Sequence, residues 1–576
     1  MKKIIKTKIN FQSLIELLIL LLFSLPVLIP LMGPGMILTH DQYFPLHRLM
    51  AMEKCFQEGQ FPPRWTDLFG MGYGYPFFNF YAPLAYLTGL LFLGIWHNPV
   101  GAMHIVFGLS LLMGGIGVWL WLKRIFDSKA ALVAGILYNC YPYHLVNAYV
   151  RGDISELLAS ALFPWVLWGF TCIDSNGSKR YAGMLAGSFF FCLVLLSHNI
   201  MALLFTGFLT AWMIFKSLRN WKLLIFTGGS YLGGLGLSAF FWLPAFYEKK
   251  YVNIAGLLQD APYHEHFLYW YQLFILNWGY GGSCAGPGDG MSFQLGIVFL
   301  MTVMTGIILL FLNWKKYSID HREEALFWLG AWCSMLFFML PFSLWFWDHL
   351  PLMRYVLYPW RFLSLAALPM AFMTALLLGP GLQMFLKERK IQFISLMVVF
   401  IAMSLIYPCL GARHVRVPDE IYLRRTVWAI ESATGTYGTT MSNEYLPLWV
   451  RVMPSGPADT LLETSAGIPI QVRARRADSY WKIYELELPQ KQEVVIPVFY
   501  YPGWEVYSKG KFTPFKITPN GFLKVELAPG YQVLEIRFRN TPLRLIANDI
   551  SLIFWFFWLL AGIMLVYTRR NWKNKR

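Results

Sequence analysis

From Leu14 to Leu31 the chain is apolar almost without interruption. Similar runs recur at residues 101–122, 130–148, 154–173, 181–196, 199–215, 222–246, 292–312, 325–345, 360–379, 392–408 and 549–567. A helix needs about 20 consecutive, mostly apolar residues to cross a bilayer. A series of this kind leaves one fold class: a polytopic α-helical membrane protein with about twelve spans. Only 14% of the residues are charged, against about 25% in a soluble protein. The first run is long enough to span and has no small-residue cleavage site before Pro30, so it reads as an anchoring helix and not as a signal peptide.

The net charge of +16 is spread between the apolar runs. It is explained by topology and by phosphate or lipid-headgroup contact, with no need for nucleic acid. The segment Phe77 to Trp96 decides the orientation. If it crosses, then Lys123-Arg124, Lys216–Lys222, Lys315-Lys316, Lys387–Lys390 and the tail Arg569–Arg576 all lie outside, against the positive-inside rule. If it lies in the interface or re-enters, all of them and the basic start through Lys8 are cytoplasmic. The second arrangement is expected. It puts on the outer face Asp41 to Arg64, Arg151-Gly152-Asp153 with Glu156, Ser197-His198-Asn199, the loop from Glu248 to Asp289, and Asp348 to Arg361. Ionisable groups at the edge of the hydrocarbon are costly and tend to mark function.

Three parts are therefore expected: a membrane domain over 1–412 with its first external loop at 33–100, an extracytoplasmic β-sandwich over 413–541, and a last membrane helix with a basic cytoplasmic tail over 542–576. The sandwich rests on alternation of period two: Tyr484, Leu486, Leu488; Leu523, Val525, Leu527; Leu534, Ile536, Phe538, each with charged residues between. Of the seven cysteines, Cys140, Cys172, Cys192, Cys333 and Cys409 lie in or beside apolar runs and read as packing residues. Cys55 and Cys284 fall in external loops, where a disulfide between them is one option.

An N-terminal helix, a long first external loop that opens with Asp41, many further helices and an external C-terminal domain resemble the GT-C glycosyltransferases. Several motifs resemble more closely the YfhO-like proteins and the bacterial membrane proteins described as related to 6-pyruvoyl-tetrahydropterin synthase. They are Phe69-Gly70-Met71-Gly72-Tyr73-Gly74-Tyr75-Pro76, Arg151-Gly152-Asp153 with Glu156, Ser197-His198-Asn199, Asn443-Glu444-Tyr445-Leu446-Pro447, Tyr500-Tyr501-Pro502-Gly503-Trp504 and Thr541-Pro542-Leu543-Arg544. No histidine cluster of the kind that holds zinc on strands supports a pterin enzyme. The resemblance implies a glycosyltransferase of a bacterial cell membrane, active on the extracytoplasmic face. It would take a polyprenyl-phosphate sugar donor, surrounded by membrane lipid, and a glycan or lipid acceptor. It also implies that Asp41 is the catalytic base. Relatives often carry a second acidic residue beside it; here the neighbour is His40, which leaves open whether a divalent cation (Mg or Mn) is needed. Such a site would take Asp67, Asp153 or Glu156 as a distant partner.

Each further candidate has two readings. Asp41 and Arg48, with His40 and His47, are interfacial polar residues or the reacting group and its anion-binding neighbours. Asp153 and Glu156 share a helix face, as cap and dipole partner or as a catalytic or metal pair. Arg151 pairs with Asp153 or binds phosphate. His198 is a satisfied buried histidine or a substrate contact. Arg354 and Arg361 snorkel to headgroups or hold a donor phosphate, the second being favoured for Arg361. His264-Glu265-His266 has the wrong spacing for one metal. Gly279 to Gly290 is expected to be a flexible loop over the site, and Trp65, Tyr73, Tyr75 and Tyr81 an interfacial belt or a stacking surface. A transporter or flippase, and a non-catalytic envelope-assembly protein, are the competing functions. Against the first stands the gathering of ionisable residues at one surface instead of the midplane.

Overall fold

The computed structural model describes residues 11–574 except 261, 407, 409, 410, 441, 459 and 460, with side chains to 568. The basic start, Cys409 and the side chains of the Arg569–Arg576 tail lie outside the described residues. Among the described residues, seven helical segments are long and apolar enough to cross a membrane: Phe11–Met32, Pro99–Leu122, Ile154–Ile173, Ser178–Ser197, Asn199–Ser217, Pro359–Gly381 and Pro542–Thr568. Two bent pairs raise the number to nine, Lys222–Leu237 with Ala239–Tyr251 at 73° and Ile319–Met339 with Pro341–His349 at 91°.

The remaining apolar runs are interrupted or short. The run at 130–148 is cut into Ser128–Asn139 and Pro142–Val146, because the residue before a proline is pushed out of helical conformation. Ile297–Leu312 is a shorter apolar helix. Glu388–Leu405 opens on Glu388-Arg389-Lys390 and is not among the seven. Phe77 to Trp96 is broken by Pro83 into Phe77–Phe80 and the 13-residue helix Leu84–Trp96. At 1.5 Å per residue the longer piece reaches about 20 Å, short of the roughly 30 Å hydrocarbon core.

The first loop is closed by a strand pair, Met36 opposite Val415 and Ile37 opposite His414. The C-terminal region thus opens on a strand that pairs with the first loop, and its two larger sheets begin further along the chain. The segment after 415 first forms a helix, Arg424–Thr434, and the first sheet strand after it starts at Glu463. From there two antiparallel sheets form. One has four strands in the order Glu463–Thr464, Gln492–Phe499, Phe522–Leu527, Phe515–Ile517. The other has five, in the order Val472–Ala477, Trp481–Leu488, Gly530–Phe538, Trp504–Ser508, Lys511–Phe512. The alternation read from the sequence is the burial pattern found: Tyr484, Leu486, Leu488, Leu523, Val525, Leu527, Leu534 and Ile536 are buried, as one-sided strands require.

A buried polar clamp ties the sheets to the helices. The Glu248 carboxylate, at the end of a bent helix, accepts from Arg544 Nε at 3.1 Å and Nη2 at 2.9 Å, from the Tyr501 hydroxyl at 3.0 Å and from the Thr541 hydroxyl at 3.1 Å. Asn79 of the first loop also donates to it, at 2.8 Å. A carboxylate with this many donors tolerates burial. Trp65, Tyr73 and Tyr75 are buried, Trp65 against Tyr501, Trp504 and Phe538. Trp65 and Tyr73 bind the first loop to the sheets, Tyr73 against Phe499 and Phe522, while Tyr75 packs beside Tyr445 ahead of the sheets; being buried, they present no stacking face to a ligand.

Candidate functional site

Asp41 sits where the first loop crosses the start of a span. The His40 amide donates to the Val150 carbonyl at 2.9 Å and the Asp41 amide to the Arg151 carbonyl at 3.0 Å. The approach depends on Gly152, whose φ is +74°; a Cβ there would lie 2.2 Å from Thr39 Oγ1 and 3.3 Å from Asp41 Cβ.

Arg48 reaches back from the helix Phe44–Gln57 to the Asp41 carboxylate at 3.3 Å. Its other donors go to the Tyr81 hydroxyl at 2.9 Å, the Tyr86 hydroxyl at 3.2 Å, Thr439 Oγ1 at 2.9 Å and the Thr439 carbonyl at 2.7 Å. The Asp41 side chain is 29% exposed while that of Arg48 is 6% exposed, so the carboxylate is the reachable member of the pair. Burial pushes Asp41 up to about 6; Arg48 opposes this and Asp153 adds to it.

Across the backbone contact lies a second group. Asp153 caps the helix Ile154–Ile173 by accepting from the Glu156 amide at 2.9 Å. Arg151 bridges Asp153 at 3.0 Å and Glu156 at 2.8 Å, and its guanidinium lies 4.8 Å from the Trp360 ring centre. Glu156 is buried and saturated: Arg361 donates at 3.3 Å, the Tyr143 hydroxyl at 2.8 Å and Ser364 at 3.0 Å. Burial alone would raise Asp153, yet Arg151, with His198 and Arg361, brings it down to about 2. His198 Nδ1 accepts from the Met201 amide at 3.1 Å and Nε2 lies 3.9 Å from Asp153. Burial lowers the His198 pKa, with Asp153 pulling the other way.

The cap reading and the cluster reading of Asp153 and Glu156 thus hold together. Asp153, Glu156 and His198 offer ligand atoms within 4.8 Å of one another, and among the described residues they are the one such group. Asp67 is elsewhere, paired with Lys54 at 2.6 Å and Arg424 at 2.7 Å.

The other candidates divide. His40 is exposed and its Nε2 meets the Tyr280 carbonyl at 3.1 Å, which lays the loop Gly279 to Gly290 beside Asp41. Trp360 Nε1 donates to Ser283 of the same loop at 3.2 Å. His47 is buried, and burial lowers it to about 4, so it is a neutral packing residue at neutral pH. Arg354 is exposed and lies over the Tyr355 ring, outside the hydrogen-bonded cluster. Cys55 is buried, Cys284 is exposed, and both are free thiols; the disulfide does not form. Tyr81, Tyr86, Thr439, Tyr143 and Ser364 complete the site. Their residue types carry no signal of their own, and of them only Tyr81 is among the aromatics singled out from the sequence.

An apolar groove of about 620 Å³ lies between the helices Asn199–Ser217 and Ile319–Met339, lined by Leu203, Phe208, Phe327, Met335, Val356 and Phe362 among others. Arg361 Nη1 donates to the carbonyl of Val356 at 2.8 Å, so the charged cluster adjoins one end of the groove.

None of the curated proteins is similar enough in sequence to match this chain. Among solved structures, it resembles ArnT from Cupriavidus metallidurans in the apo state at 14% identity and a TM-score of 0.38, covering 72% of this chain and 68% of that one. For the same protein bound to undecaprenyl phosphate the values are 12% and 0.36, covering 70% and 64%. For the Archaeoglobus fulgidus oligosaccharyltransferase in the apo form they are 16% and 0.45, covering 70% and 56%. Residues 78–415 match the family described as the 6-pyruvoyl-tetrahydropterin synthase related domain, a membrane protein. The match takes in more than half of the chain, including Arg151, Asp153, Glu156, His198 and Arg361; this chain belongs to that family of membrane proteins.

Proposed function

We propose that this protein transfers a sugar from a polyprenyl-phosphate donor to a glycan, lipid or cell-wall polymer on the outer face of a bacterial cell membrane. The observation that carries the reading is a partly exposed carboxylate, Asp41, held by Arg48 and set directly against the buried Arg151–Glu156–Arg361 cluster. This is the pairing that glycosyl transfer from a lipid phosphate requires: a base for the acceptor and cations for the leaving group.

Asp41 takes the proton from the acceptor hydroxyl as that oxygen attacks the anomeric carbon of the donor sugar. The bond from that carbon to the phosphate oxygen breaks, with inversion, and its electron pair leaves on the lipid phosphate beside Arg361 and Arg151. The apolar groove next to Arg361 has the shape and lining for the prenyl chain. No step passes through a divalent cation. Both Glu156 oxygens already accept from arginine or hydroxyl donors. With His198 Nδ1 accepting from the Met201 amide, the ring proton sits on Nε2, the atom that faces Asp153.

The test is transfer from a radiolabelled polyprenyl-phosphate sugar in membranes with expression matched. Asp41→Asn keeps shape and removes the base, so turnover falls by about 10²–10⁴-fold with donor binding little changed. Arg361→Ala weakens donor binding as well as turnover. Near-normal transfer by Asp41→Asn removes Asp41 from the mechanism, and donor transport without transfer points to a flippase.

A further inference from the structure

Of the bonds Arg48 makes, the one to Asp41 is the longest at 3.3 Å, and two of the shortest go to a single residue, Thr439. Thr439 belongs to the segment between the helix Arg424–Thr434 and the first strand of the sheets. It takes Arg48 Nε on its hydroxyl and Nη2 on its carbonyl, leaving Nη1 aimed at Asp41 and the two tyrosines. A planar guanidinium held at two of its three nitrogens has its third direction fixed.

The segment is itself rigidly anchored. Thr439 has φ +55°, a left-handed conformation that is costly for a β-branched residue and survives only where its surroundings impose it. Gly438 before it has φ +68°, and a Cβ there would lie 2.4 Å from the Tyr75 ring. Its amide donates to Glu431 at 2.7 Å, and the same buried carboxylate accepts from the amides of Gly70 at 3.2 Å and Met71 at 2.6 Å. Asn443 closes the turn, accepting from the Tyr437 amide at 2.6 Å and donating to the Gly435 carbonyl at 2.9 Å. The Gly-rich turn of the first loop and the segment that carries Thr439 are thus pinned to one carboxylate.

We propose that Thr439 is a positioning residue, which orients Arg48 and through it the carboxylate of Asp41, so that the segment leading into the sheets sets the competence of the site. This rests on the reading of Asp41 as the acting carboxylate. Strain stored at Thr439 is accounted for if its hydroxyl is needed at that place; a residue serving only to turn the chain and offer its carbonyl there would be glycine.

Three variants test it. Thr439→Val removes the hydroxyl acceptor at constant shape, Thr439→Ser keeps it, and Thr439→Gly removes it while relaxing the backbone, so that a folded variant without the hydroxyl is available even if valine fails. Two readouts are taken. The first is transfer from the radiolabelled donor: Val and Gly lower kcat by about 10- to 100-fold, the range set by one hydrogen bond to a charged group. Their KM for the donor stays within about twofold, and Ser restores kcat. The second needs no activity: carbodiimide modification of Asp41 at pH 6, read by peptide mass spectrometry, rises in Val and Gly and not in Ser.

If Val and Gly transfer normally while Asp41→Asn is inactive, the positioning role is wrong and the glycosyl-transfer reading stands. If Asp41→Asn transfers normally, that reading falls. The coupling of Thr439 to Asp41 is then decided by the carbodiimide arm, where unchanged modification overturns it.

Discussion

The amide of Asp41 donates to the carbonyl of Arg151 at 3.0 Å, and around that bond two oppositely built carboxylate environments meet. On one side Asp41 is partly open and lifted to about 6. On the other, Asp153 is held down to about 2 by Arg151, His198 and Arg361 against the effect of burial. Two neighbouring carboxyls pushed apart in this way differ in charge near neutrality: one lies close to its titration range and the other stays ionised.

The first consequence is a pH profile. In the proposed role of base, Asp41 must be ionised, so kcat/KM is expected to rise with pH through about 6 and level above it. Measured from pH 4.5 to 8, the wild type shows this limb and Asp41→Asn lacks it. The same shift bears on stability with a fixed sign. A carboxyl raised in the folded state favours the fold below its ordinary range, and that contribution is lost as pH rises through 6. Asp41→Asn therefore melts with less dependence on pH over that interval.

Glu156 is the keystone of the cluster. Glu156→Ala leaves Arg151 and Arg361 without their shared buried carboxylate. Removing one member of a buried pair costs about 3–5 kcal/mol. A large fall in the apparent melting temperature in detergent, or failure to accumulate in membranes, is the expected result. A variant that melts like the wild type would show that the two guanidiniums find water or headgroups instead.

Gly152→Ala tests the approach of the first loop to the span. The added methyl meets Thr39 Oγ1 at 2.2 Å at a backbone angle, φ +74°, that alanine avoids. The loop must retreat, so transfer drops sharply while the sheets stay folded. Gly177→Ala serves as the control: it too has positive φ, and a Cβ there meets nothing within 4 Å.

Cys284 reports the face of the membrane. It is exposed in the loop whose Tyr280 carbonyl meets His40, whereas Cys55 is buried and free. In a Cys333→Ser background, Cys333 being the other exposed free thiol among the described residues, an impermeant maleimide added outside intact cells labels Cys284 and spares Cys55, and Cys284→Ser removes that label. Labelling only after lysis would put the whole cluster on the cytoplasmic side.

The features legible along the chain rest on local signals. Apolar runs of spanning length mark helices because hydrocarbon admits a backbone only if it satisfies itself. The alternation around Tyr484, Leu523 and Leu534 places strands, since successive side chains point to opposite faces. Asp41, Arg151, Asp153, Glu156, His198 and Arg361 stood out as ionisable groups at a hydrophobic edge, all but Arg361 also through family resemblance, and the fold gathers them. Other features depend on how distant segments pack together. His47 and Arg48 are neighbours in sequence and belong to the same helix, yet one packs as a neutral ring and the other grips Asp41. Which of them faces the site depends on how the helix is rotated against the rest of the fold. Thr439 carries no charge and no motif; its value to Arg48 comes from a strained turn brought in from 391 residues away. The Tyr500-Tyr501-Pro502-Gly503-Trp504 and Thr541-Pro542-Leu543-Arg544 motifs also found their meaning in the fold, as Tyr501, Thr541 and Arg544 converge on Glu248. A hydrogen bond depends on where two groups end up, and residue type alone does not hold that information when the partners are far apart in the chain.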